Sequence, residues 1–465
     1  MRYDEMTLGV MVLQAGCHEA AWRDPRVPAN GGIDIDYFAN LAALAETAAF
    51  HFIFCADSPS VTDEAHATIA RRSRHDGFEP MTLLSALSSR TKNIGLVATA
   101  TTTYNQPYHI ARMLASLDRL SRGRAAWNIV TSGYKFEAAN FGEKELPNHS
   151  TRYARAREFV EVVKGLWDSW EDDAFIRDKQ SGVFVDTNKL HTLDHQGPCF
   201  SVRGPLNTAR PPQGYPVLVQ AGASDIGMAF AAEIGEVIFT AEPCCENGKR
   251  YYTALKEKAH TFGREDNQVL VMPGLVPIVG RTKQEASDKL ERLHSLMHID
   301  VLTGVAERWL GFVKDLRSVD LDSLVPDMLP QSNLFQSRQK LLLELAARRK
   351  YTWRQLIGYI SDSSGHLMVV GTPDEIAQAM VDTFDERAAD GFNLCLATLP
   401  DGLKDFIELV VPELRRRGKF RSKYSGQTLR ENLGLKRPLN SFTQSCVGGS
   451  TSASDSNKAG LLSRD

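Results

Sequence analysis

The chain has 465 residues, 43% of them hydrophobic and 24% charged, with a formal net charge of −3. That is the make-up of a globular protein large enough for an extensive core. So small a net charge gives no electrostatic footing for a nucleic acid or an anionic membrane, and no apolar run reaches membrane-spanning length.

Polar residues such as Asp4, Glu5 and His18 interrupt any leader-like stretch, so a cytoplasmic setting is expected. The cysteines, Cys17, Cys55, Cys199, Cys244, Cys245, Cys395 and Cys446, show neither a CxxC nor metal-ligand spacing, and are expected as reduced, buried thiols without a metal.

In chain order, TLGVMVL (7–13) reads as a first strand, followed by a Gly/Pro-rich loop and a helical pattern over 37–50. HFIFCA (51–56) is strand two and ends in Asp57-Ser58-Pro59. A helix over 80–91 leads to NIGLVATATTT (93–103), strand three, and Pro107 opens the next helix as a first-turn proline. AAWNIVTS (125–132) is strand four, and 151–170 a long amphipathic helix. PVLVQA (216–221), a turn of small residues, a helical pattern and EVIFTA (236–241) form a β-α-β unit whose runs lack polar alternation, as in a parallel sheet covered on both faces. A helix closed by Gly263, then QVLVMPGLVPIVG (268–280), give strand seven. After a long helical region, Thr372 with Glu375 forms a capping box, and FNLCLAT (392–398) completes eight strands before a last helix.

Eight apolar runs alternating with helices predict an α/β fold, a (β/α)8 TIM barrel with insertions after strands four and seven. A doubly wound sheet is the alternative, disfavoured because no GxGxxG follows the first strand. The expected organisation is one domain over 1–440, with insertions at about 171–215 and 285–365, and a disordered Ser/Gly-rich tail over 441–465.

A barrel works from the C-terminal ends of its strands, which selects Asp57, residues 101–103, 128–132 and 221–224, and Glu242. There is no HExxH, GxSxG or P-loop. Asp57 and Glu242 leave open a glycoside hydrolase pair, but the small and hydroxyl residues around them suit a phosphorylated cofactor better. Ser224 has two readings, a plain N-cap or a phosphate seat, which share one geometry.

RAAWNIVTSGYKFEAANFG (124–142), HSTRYARAREFVEVVKGLWDSW after it, and GPLNTARPPQGYPVLVQAGAS (204–224) resemble the nitrilotriacetate monooxygenase component A group of bacterial-luciferase-like flavin monooxygenases, which takes in dibenzothiophene sulfone and long-chain alkane monooxygenases. GCHEAAWRDP (16–25), FIFCADSP (52–59) and GTPDEIAQAMVDTFDERAADGFNL (371–394) extend the match, which fades across 285–365. The resemblance implies FMN bound as FMNH2, supplied by a separate NAD(P)H:flavin reductase, and O2 used through a flavin C4a-hydroperoxide to oxygenate a small substrate; a non-catalytic flavin-binding homologue is the alternative. A homo-oligomer, dimer or tetramer, is expected. Carried over by position, flavin contacts fall on Asp57, Thr103 (with Thr101 a competing register), His149, Tyr153, Ala223 and Ser224, and the reacting centre on His18, Asn128 and Tyr153. His18 is equally readable as a surface-loop histidine, and Trp22 as packing beneath the loop. The substrate stays open: an aminopolycarboxylate would want arginines at the mouth, for which Arg203 and Arg210 are available, and an organosulfur compound or alkane an apolar pocket.

Overall fold

The computed structural model describes residues 4–61, 65–222, 224–311, 316–330 and 336–443. The predicted runs become β1 (Thr7–Met11), β2 (Phe52–Cys55), β3 (Gly95–Thr101), β4 (Ala125–Val130), β5 (Val217–Gln220), β6 (Val237–Thr240), β7 (Leu270–Val279) and, as the eighth ring strand, β9 (Gly391–Leu394). All pair in parallel, and contacts of β7 with both β6 and β9 close the ring.

One strand of the main sheet escaped the sequence reading. β8 (Leu367–Gly371) lies outside the ring, paired to the outer half of β7 from Leu275 to Val279. Its residues are mostly half-buried, so it lacks the doubly covered apolar signature of the other strands.

Side-chain alternation divides the barrel. Leu8, Val10, Ile53, Leu96, Trp127 and Leu218 face the surrounding helices. Phe52, Phe54, Val97, Ala126, Val219 and Met272 pack inside, joined by Leu429, Leu433 and Leu435 of the C-terminal segment, which plug the N-terminal end. The helices that matter for the site are α1 (Ile35–Thr47), α2 (Pro80–Ser88), α3 (Pro107–Leu120), α4 (His149–Trp167), α5 (Asp225–Ile234) and α6 (Cys245–Thr261). The expected features at helix ends are present: Pro107 in the first turn, Gly263 at φ 71°, and the Thr372–Glu375 capping box. The last helix is interrupted by a π turn over Phe406–Val410, next to Pro412, which lacks the amide needed to continue the ordinary ladder.

After β4 the chain makes an irregular excursion with a short hairpin, His195–Gln196 against Ser201–Val202. After β7 come α7 (Lys283–Ser295), α8 (Ile299–Leu310), α9 (Gln336–Arg349) and α10 (Trp353–Ser363), with a core of their own built on Val301, Val305, Leu342, Trp353, Leu356 and Ile360. Residues 444–465 of the expected tail lie outside the described residues; Phe442, just before them, stacks on His191 at 4.6 Å. Among the described cysteines, Cys55 and Cys395 are buried as expected, whereas Cys199 is exposed at the surface hairpin and Cys17, Cys244 and Cys245 are half-buried. No described helix is long and apolar enough to cross a membrane.

Candidate active site

Towards the C-terminal end of the ring the inward column turns from apolar to polar. On β3 it runs Val97, Thr99, Thr101; on β4, Ala126 gives way to Asn128. Asn128 Nδ2 donates to Thr99 Oγ1 at 2.9 Å, and Thr99 donates to the Cys55 carbonyl at 2.7 Å. The Asn128 Oδ1 atom, buried, makes no hydrogen bond within the protein. On β9 both amide atoms of buried Asn393 are in the same state, as is Gln220 Oε1 at the end of β5. Buried polar atoms are normally satisfied, so such a concentration at one end marks where something else binds.

The two competing threonines differ in their hydroxyl partners. Thr103 donates to the Thr131 carbonyl at 2.8 Å, while Thr101 pairs with Ser132 Oγ at 2.8 Å and accepts from the Thr103 amide. Both are buried side by side at the rim. Asp57 stands exposed beyond β2; desolvation in the cleft, reinforced by Glu79 and Glu137, lifts its carboxyl above the ordinary range.

The turn between β5 and α5 joins α4 to make a seat. Ser224 caps α5, its Oγ accepting from the Gly227 amide at 3.1 Å and lying 3.3 Å from His149 Nε2. The His149 ring is 4.8 Å from that of Tyr153, one helical turn on, and the buried Tyr153 hydroxyl faces Thr131, Gln220 and Ser224. Burial raises the Tyr153 phenol, and burial with the nearby Arg152 charge lowers the His149 imidazole, so both are neutral at pH 7. A Cβ at Gly227 would lie 2.8 Å from Tyr153 Oη and 2.9 Å from Ser224 Oγ, so a side chain there would fill the cradle. Hydroxyls, a helix N-terminus and a glycine cradle are donors suited to a phosphate. Ala223 lies outside the described residues.

His18 is not a surface-loop histidine: it is 2% exposed. Its Nδ1 accepts from the Ala20 amide at 3.1 Å, which places the neutral ring's proton on Nε2, donated to Asp362 on α10 at 3.2 Å. His294 of α7 holds both oxygens of the same carboxylate at 2.9 Å. The insertion is thus clamped to the loop after β1. Trp22 packs against Ala15, Ala21 and Val27 and donates to the Arg71 carbonyl, as expected of a residue beneath the loop.

The arginines proposed for the mouth are elsewhere. Arg203 is a solvent-exposed hairpin residue, and Arg210 is buried against Asp168 at 2.9 Å in the excursion after β4. Two further arginines come from outside the predicted set: Arg74, from the loop after β2, donates to the Cys17 carbonyl at 2.8 Å, and Arg338, from α9, lies 5.0 Å from the Trp309 ring. Neither has a local sequence signal; Arg338 sits in an ordinary amphipathic helix. Glu242 is buried with the Thr240 hydroxyl at 2.9 Å, and burial brings its carboxyl up to about 7. A cavity of about 1000 Å³ lies outside the ring against β8 as a groove lined by Cys244, Leu290, Tyr359, Met368 and Thr383 among others; it includes Asp362 and His294 but none of the seat residues.

Fold and site together define a parallel (β/α)8 barrel enzyme with a phosphate-type seat beside strand five and a separate helical cover. The luciferase-like monooxygenase family model matches residues 13–391. N-acetyl-S-(2-succino)cysteine monooxygenase of Bacillus subtilis (strain 168) is 46% identical over 95% of this chain and 99% of its own length. Nitrilotriacetate monooxygenase component A of Aminobacter aminovorans is 43% identical over 95% and 98%. Among solved structures, DmoA from Hyphomicrobium sulfonivorans superposes with a TM-score of 0.85 at 32% identity, covering 92% of each chain. The chain belongs to the luciferase-like monooxygenase family, and it is a flavin-dependent monooxygenase. The glycoside hydrolase alternative is thereby set aside.

Proposed function

We propose that the chain is the oxygenase component of a two-component system, working in the cytoplasm as a homo-oligomer with reduced FMN delivered by a separate NAD(P)H:flavin reductase. The observation that carries the cofactor assignment is the cradle of Ser224, His149, Tyr153 and Gly227 at the start of α5. The α5 amides and the Ser224 hydroxyl would hold the FMN phosphate, with neutral His149 and Tyr153 as further donors; Ala223, outside the described residues, is assigned to the same site by the resemblance alone. Reduced FMN supplies the activation of O2. Asn128, whose Oδ1 has no partner in the protein, Thr101 and Thr103 at the rim, and Asp57 beyond β2 are the residues that would hold the flavin ring at the ends of β2–β4. His18, held in one tautomer by Ala20 and Asp362, presents its ring to the reacting side and positions substrate. The insertion helices exclude water, which is the chief service a protein renders to this chemistry.

The test uses NADH, FMN and an added flavin reductase, with peroxide release and FMN affinity as readouts. A component of this kind binds reduced FMN and changes the peroxide yield of the reductase. A non-catalytic flavin-binding homologue binds without changing it, and a protein that does neither is not the enzyme.

A further inference from the structure

Taking the barrel mouth as the monooxygenase site just proposed, we infer that His366 and Asn393 form a substrate subsite inside the ring. It takes an uncharged group able both to donate and to accept a hydrogen bond. His366 comes from the insertion rather than from a ring strand. After α10 the chain passes through Ser364 at φ 50° and Gly365 at φ 81°, a left-handed reversal that turns the next side chain into the barrel. Tyr359 Oη donates to the His366 carbonyl at 2.7 Å, and the His366 amide donates to the Ser363 carbonyl at 3.0 Å, so the backbone there is fixed.

What admits the imidazole is a notch in β7. Leu270 and Met272 point into the ring, and by alternation so does position 274, which is glycine. A Cβ there would lie 2.4 Å from His366 Nδ1, closer than a side chain tolerates. Asn393 pairs in register with Gly274 on the neighbouring strand, and its flanking residues Phe392 and Leu394 point outwards to the helices, so its amide stands on the same inner face. The His366 ring lies 5.3 Å from that of Phe239, and Phe239 lies 5.7 Å from Phe54, so aromatic rings wall the space. His366 is 7% exposed and Asn393 1%, yet His366 Nδ1 and both Asn393 amide atoms have no partner in the protein. Three such atoms on one arc of the ring are costly until something pairs with them. In the order of the ring, β7 and β9 lie opposite β3 and β4, so a ligand held here stands across from the residues assigned to the flavin.

The donors and acceptors decide the chemistry. Whichever way the Asn393 amide is turned, it offers one donor side and one acceptor side. A carboxylate has no proton to give and would leave the acceptor unmet, whereas an amide or a hydroxyl meets both. Burial, with the Arg338 charge acting in the same sense, holds the His366 imidazole neutral, so the pair itself brings no charge to attract an anion.

The probes are benzamide, its isostere acetophenone, which keeps the acceptor and loses the donor, and benzoate. Each is titrated by NMR against the full-length protein with and without FMN. Benzamide is expected to bind roughly tenfold tighter than either of the others. It should also move the imidazole nitrogen resonances of isotope-labelled histidine that disappear in His366→Phe. His366→Phe and Asn393→Leu each bring benzamide down to the acetophenone level while changing FMN affinity less than twofold. His366→Gln, which keeps a hydrogen-bonding group in place, recovers part of the preference and guards against a folding defect. Equal binding of benzamide and acetophenone, or a benzamide preference that survives both His366→Phe and Asn393→Leu, overturns the inference. Tighter binding of benzoate than of benzamide also overturns it, and would mean that the Arg338 charge governs the pocket. So does a parallel loss of FMN, which would give the pair to the flavin. A benzamide preference in a protein that fails to bind FMN would sink the cofactor reading and leave this one standing.

Discussion

The two ends of the barrel obey opposite rules of polar bookkeeping. At the N-terminal end, the buried Arg124 guanidinium donates five hydrogen bonds, to Thr91 Oγ1 and to the carbonyls of Ser88, Thr91, Ile94 and Ser121. Buried Asp118 accepts from Gln213 and from the Ala125 amide, and Arg430 pairs with Glu236 across the plug, its Nε being the one atom of this set left without a partner. At the C-terminal end, Asn128, Gln220, Asn393 and His366 hold buried atoms with no partner in the protein. Satisfied groups make the closed end a source of stability; unsatisfied ones make the open end a place that waits for ligands.

Four measurements separate the two ends. The largest effect falls on Arg124→Ala, which strips the partner from five buried acceptors; chemical denaturation should show a loss of about 4 kcal/mol with FMN affinity of the folded fraction unchanged. Next, Ser224→Asp puts a like charge against the phosphate and removes its hydroxyl. FMN binding should weaken roughly 30-fold, equivalent to about 2 kcal/mol, with the unfolding midpoint little altered. An unchanged dissociation constant would remove Ser224 from the site.

Smaller still is Asn393→Leu, a change of similar volume that takes away two unpartnered buried atoms. It should stabilise the protein by about 1 kcal/mol while slowing turnover, the opposite trade to Arg124→Ala. A destabilised Asn393→Leu variant would mean the amide is satisfied in solution and the comparison fails there.

The smallest effect concerns the clamp between His18, His294 and Asp362. Burial works against the Asp362 carboxylate, but His18 and His294 hold it below its ordinary 3.8, so its share of stability is present above that value and is lost as pH falls through the lowered one. The Asp362 hydrogen bond raises His294 above 6.5, so the charged pair contributes fully below 6.5 and fades as pH rises through the raised value. Between 3.8 and 6.5 both contributions are in force. Amide exchange in α10 should be slowest in that interval, and Asp362→Asn should flatten the profile and return His294 towards 6.5 in an NMR titration.

How much was legible beforehand differs from element to element. The eight ring strands were, because each is buried on both faces and reads as an unbroken apolar run. β8 was not, since an outer strand with half-buried residues carries no such pattern. Ser224 was readable as a cap, and His149 and Tyr153 as neighbours on one helical face, because those relations span at most four residues. His366 and Asp362 gave no sign: what makes them notable is a partner, or the lack of one, contributed by residues far away in the chain. For the same reason Arg203 and Arg210 looked available when only their charge was visible.

The amino-acid order by itself determined the barrel and the capped turn between β5 and α5, because burial patterns, caps and tight turns are written within a few consecutive residues. Only the tertiary structure decided which buried polar groups meet a partner and which do not, since that depends on where the helices after β7 come to rest over the ring, and contacts between distant segments leave no trace in local spacing.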